Sequence, residues 1–180
     1  MHRTLYVLVY PSRLFAAHWS LWIPYLDSSG QESDTGDRVH VTGDRLNGFQ
    51  YEYLRDYNVR EDERKPNSFP VGSISGDSLR DWREDGDEKS GSDAMRYEGV
   101  NLFDRVCREV EAPGPSLNKV TKLTLAQTTG PPPRKTEVKD CQWWLKQAVE
   151  HLVEGDILMP LEEALGDGTP VERVMRLPRH

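Results

Sequence analysis

Hydrophobic and polar positions alternate with a strand-like period through the first part of the chain and with a helical period further on. Leu5 to Tyr10 is a nearly continuous apolar run rich in β-branched and aromatic residues, so a buried strand is predicted over 4–10, ended by Pro11 and Ser12. Ala17 to Ile23 follows and stops at Pro24. Its period of two puts Trp19, Leu21 and Ile23 on one face and His18, Ser20 and Trp22 on the other. Residues 27–37 are a polar Gly/Ser/Asp stretch that reads as a loop, and Arg38 to Thr42 reads as the returning strand. There Val39 and Val41 share one face, His40 and Thr42 the other. A symmetric hairpin about Ser29 sets His18 opposite His40, with Cα atoms about 4.5 to 5.5 Å apart.

Further strands are predicted at 48–54, extending toward Val59, and at 69–74, where Pro70 suits a sheet edge. Residues 75–96 mix both charge signs with few apolar positions and read as a solvated excursion. Asn101 to Val110 has the pattern of an amphipathic helix, stopped by Pro113-Gly114-Pro115. A weak strand at 119–126 and a stiff link at 130–133 lead to Asp140, a good N-cap. Behind it Cys141, Trp144, Leu145, Ala148, Leu152 and Val153 recur at helical spacing. Short packing elements are expected at 157–165 and 170–177. The whole predicts an α+β single domain, 1–180, with an antiparallel sheet packed against the helix that starts at Cys141.

Composition narrows the partners. The 180 residues carry 30 acidic and 23 basic side chains, a net charge of -7, which argues against nucleic acid or anionic lipid as the main partner because both require a basic face. No apolar run reaches the length of a membrane span, and the Leu5–Tyr10 run is too short and too rich in Tyr for a secretion signal. Two cysteines, Cys107 and Cys141, without a CxxC pair make a disulfide framework or structural zinc site improbable; neither metal nor cofactor is expected. A reduced, cytoplasmic protein fits.

Cys141 is the reactive candidate. A first-turn position exposes a thiol to the helix dipole and to free backbone N–H groups, which lower its pKa. Burial on the packed face is the structural reading of the same residue, and the simplest one for Cys107. Thiol catalysis needs a base within hydrogen-bond reach and a polar group to orient it. His18 and His40 are residues of those types on one predicted sheet face; Asp44, Asp56 and Asn58 could replace His40. Trp19, Trp22 and Trp144 are candidate pocket walls or core.

His18-Trp19-Ser20-Leu21-Trp22-Ile23, a Gly-containing turn, Val39-His40-Val41, and the late Asp140-Cys141-Gln142-Trp143-Trp144 together resemble the lecithin:retinol acyltransferase-like proteins. That family belongs to the circularly permuted branch of the NlpC-type, papain-like fold. The match covers about a third of the chain. It implies His18 as general base, His40 as the orienting residue, Cys141 as nucleophile and its backbone N–H as an oxyanion donor. Asp140 stands where the family has Asn, the hairpin loop is longer, and the family's hydrophobic anchor is missing. The resemblance implies a cysteine hydrolase or acyltransferase acting on a small-molecule or acyl substrate. A biosynthetic cyclase or isomerase using the same groups for acid–base catalysis, and a catalytically silent binding protein, are the alternatives.

Overall fold

The computed structural model describes residues 1–13, 15–81, 99–115, 139–162 and 167–180. The weak strand at 119–126, the link at 130–133 and most of the 75–96 excursion lie outside the described residues. Among the described residues six strands form one antiparallel sheet: β1 (His2–Tyr10), β2 (His18–Leu26), β3 (Glu32–Asp44), β4 (Gly48–Asn58), β5 (Asn67–Ser75) and the short β6 (Leu158–Met159). Their order is β4-β3-β2-β1-β5-β6, so the two histidine strands lie inside the sheet. Among the described residues three α-helices accompany them: α1 (Leu102–Glu109), α2 (Cys141–Glu154) and α3 (Pro170–Met175). The architecture is α+β with an antiparallel sheet and separate helices.

Cross-strand partners assign the two faces. Val9 lies opposite Trp19, and Leu21 opposite Val39; these belong with Cys141, Trp144, Leu145, Ala148 and Leu152 to the main core. α2 therefore covers the Trp19 face. Tyr10 lies opposite His18, and Trp22 opposite Arg38; Leu8, Tyr10 and Trp22 form a second, smaller apolar cluster on the other side. Each helix starts on its own cap: Asn101 accepts from the Asp104 N–H, Asp140 from those of Gln142 and Trp143, and Thr169 closes a capping box with Glu172.

The sequence pattern is corrected in two places. β2 runs through Pro24, and β3 begins at Glu32, so the predicted 27–37 loop is a turn over 27–31 followed by strand. Side chains hold these polar residues in the ladder: Tyr25 and Tyr53 both donate to Asp37, and Tyr6 donates to Glu32. An irregularity between Pro24 and Leu26 absorbs the proline and shifts the register. β5 has β1 on one side and only the two-residue β6 on the other, with Pro70 opposite Tyr6 where the β1–β5 register slips.

Candidate functional site: a histidine chain and a buried thiol

His18 and His40 meet. His18 Nε2 lies 2.8 Å from His40 Nδ1, and His40 Nε2 lies 2.7 Å from Glu52 Oε2. The approach is diagonal, because the bulge at Pro24 puts Leu21 rather than Trp19 opposite Val39. Glu52 is the direct β4 partner of His40.

The contacts fix the tautomers. A Glu52 carboxylate only accepts, so His40 carries its proton on Nε2. His40 Nδ1 is then a lone pair, which suits the Arg38 guanidinium 3.4 Å away. His18 accordingly donates from Nε2, leaving Nδ1 unprotonated and without a hydrogen bond among the described residues. The chain runs from a surface carboxylate to a free imidazole base.

Both rings are held neutral. Burial, then the positive charge of Arg38 and Arg64, brings the His40 pKa down to about 3; burial, then His40 and the same two arginines, brings His18 to about 3. Glu52 opposes this at His40, but its side chain is 44% exposed and screened by water, so burial and the guanidiniums prevail. Arg38 is buried and has no carboxylate within ion-pair distance among the described residues. It donates to Ser20 Oγ at 3.1 Å and stacks 4.9 Å from the centres of both Tyr10 and Tyr57.

Cys141 opens α2 as its pattern requires, on the opposite face of the sheet. Its backbone surroundings favour a thiolate: the N–H groups of Trp19, Gln142 and Cys141 itself act on the sulfur. Burial outweighs them and, with the Asp140 charge, pushes the thiol up to about 11. Among the described residues neither imidazole is hydrogen-bonded to the sulfur. The two halves nevertheless approach one gap. His18, Trp19 and Ser20 pair with β1 but not with β3, whose ladder with β2 starts at Leu21–Val39. The histidine bond spans that unpaired end on one face, and Cys141 reaches the Trp19 N–H from the other.

The tryptophans divide. Trp19 and Trp144 are fully buried in the core, with indole N–H groups donating to Pro178 O and Val110 O. Trp22 lies on the histidine face, packed against Tyr6, and its indole N–H has no hydrogen-bond partner among the described residues. Trp143 lines a groove of about 430 Å³ beside α2 with Asp140, Gln142, Lys146, Glu150 and Arg179. Cys107 is buried, its pKa pushed far up by burial and by Asp104, and both cysteines are free. No group of three or more potential metal ligands occurs among the described residues, and no described helix is long and apolar enough to cross a membrane. Glu52 went unseen in the sequence because one acidic residue in an alternating strand looks like solvent-facing decoration. Extending the β3–β4 hairpin register from its turn would have set it opposite His40.

Fold and site define an antiparallel-sheet α+β protein with a carboxylate–imidazole–imidazole chain on one face and a helix-opening thiol on the other. A scan of protein families matches residues 5–159 to DUF6540, a family of unknown function, and the chain belongs to it. Searches of curated proteins and of solved structures gave no match.

Proposed function

We propose that the protein is a cysteine-dependent acyl-chemistry enzyme, a thiol hydrolase or acyltransferase, on a permuted papain-like fold resembling that of lecithin:retinol acyltransferase-like proteins. The observation that supports the reading is the unpaired end of the β2–β3 ladder, between the start of β2 and the end of β3, where the His18–His40 bond lies on one face and the Trp19 N–H meets the Cys141 sulfur on the other. His18 Nδ1 is the base left free by the chain from Glu52. In the cycle it takes the thiol proton, sulfur bonds to the carbonyl carbon of a small-molecule or acyl substrate, and the oxyanion meets backbone N–H groups of the first turn of α2. Collapse expels the leaving group with the proton from His18, and water, an amine or an alcohol then takes the acyl group from sulfur. At rest both partners are uncharged, so substrate entry must bring the thiol across the gap to His18.

A second reading is favoured by the completeness of the Glu52–His40–His18 chain without the thiol: an acid–base cyclase or isomerase in which His18 Nδ1 abstracts a substrate proton. Iodoacetamide alkylation near neutral pH tests the first reading. Cys141 should react faster than Cys107, and His18→Ala should slow it; equal, slow rates at both cysteines that persist in a variant ending at Arg176 would leave a catalytically silent binding protein. Once a substrate is found, turnover that survives Cys141→Ala but not His18→Ala would select the acid–base reading.

A further inference from the structure

After α3 the chain turns back across the seam between the first turn of α2 and the start of β2. Arg179 O accepts from the Ala17 N–H at 2.8 Å and from the Gln142 side-chain amide at 3.1 Å. The carbonyl before it, Pro178 O, accepts from the Trp19 indole at 3.2 Å. The Gln142 amide is itself held by Ala17 O at 2.8 Å, so its aim is set by the strand. These donors bracket the thiol. Gln142 follows Cys141, and the Trp19 backbone N–H acts on its sulfur. Three N–H groups thus bind two successive main-chain carbonyls without using the side chains of Pro178 or Arg179. Recognition of that kind suits any extended peptide backbone. Leu177 joins the core cluster that contains Cys141, and Arg179 forms a wall of the groove along α2.

We infer that Ala17, Trp19 and Gln142 form a cradle for an extended peptide backbone, occupied here by residues 177–180 as an intramolecular ligand that covers Cys141. The substrate class follows from the donors: a peptide or peptide-like amide presenting consecutive carbonyls along the start of β2. That substrate role rests on the thiol reading above, whereas the covering of Cys141 does not.

The test is the iodoacetamide rate at Cys141, followed by mass spectrometry, in a variant ending at Arg176 and in full-length Gln142→Leu. Loss of one or two net hydrogen bonds predicts an acceleration of about tenfold in either variant. A synthetic Leu-Pro-Arg-His peptide added to the shortened protein should restore the slow rate. Unchanged rates in a shortened protein that keeps its circular dichroism, or acceleration that the peptide does not reverse, overturn the inference. If the shortened protein does not fold, Gln142→Leu decides: its acceleration supports the cradle, and an unchanged rate rejects it. The His18→Ala variant separates the two claims. Acceleration that ignores His18 keeps the cradle and removes the acyl-transfer reading; His18-dependent labelling indifferent to residues 177–180 does the reverse.

Discussion

Acidification should unfold this protein through its histidine pair before its carboxylates matter. His18 and His40 carry pKa values near 3 in the fold against about 6.5 in the unfolded chain. Between those values the unfolded state binds more protons, so stability is complete above about pH 6.5 and falls as the pH drops toward about 3. At about pH 4.5 each site has lost just under about 3 kcal/mol, and the independent sum of about 5 to 6 kcal/mol is an upper limit. The rings share one hydrogen bond and lie near a half-exposed Glu52, so about 3 kcal/mol for the pair is the working figure, a large share of the usual 5 to 15 kcal/mol. Asp62, held well below the ordinary carboxylate range mainly by its bond to Arg64, contributes stability that is lost only as the pH falls below that ordinary range, outside this window. Urea midpoints from about pH 7 to about pH 4.5 measure the slope. In His18→Gln/His40→Gln the slope over that interval should nearly vanish. A wild-type midpoint that stays flat, or a double variant with the wild-type slope, would refute buried neutral imidazoles.

Other perturbations follow from the same contacts. Asp140→Asn keeps an N-cap, so stability should change by less than about 0.5 kcal/mol, while loss of the charge that raises the Cys141 pKa should move the pH profile of alkylation downward; an unmoved profile would show that burial alone sets the thiol. Asp140→Ala should cost about 1 kcal/mol in thermal unfolding through the lost cap. Asp104→Ala should be among the most damaging substitutions, about 3 kcal/mol or more by urea titration, because this buried carboxylate accepts from Tyr51, the Val100 N–H and Arg108. Arg38→Met removes the positive charge that helps keep both imidazoles neutral, and their pKa values should rise in NMR titration.

Alternation along Trp19–Ile23 and Val39–Thr42 was enough to put both histidines on one sheet face, and the cap at Asp140 was enough to start α2 at the thiol. Neither local pattern says which face α2 covers. β2 offers a tryptophan on each side, Trp19 and Trp22, and only the partners gathered by Trp144 and Leu145 decide between them. Residues 32–37 escaped the pattern because tyrosine hydroxyls on Asp37 and Glu32 do the work that apolar burial does elsewhere. Symmetric counting about Ser29 missed the bulge at Pro24, so the histidines were expected face to face and meet on the diagonal.

The closure around Cys141 also has a place in the order of synthesis. Trp19 and Pro178 are 159 positions apart, and Gln142 and Ala17 are 125 apart, so the cover over the thiol consists of some of the most distant contacts in the chain. A ribosome adds about 5 to 20 residues each second, and β1 to β5 can pair long before Arg179 emerges. Until then the growing chain carries Cys141 uncovered beside strands β1 to β5, and the thiol is sealed only after those strands have paired.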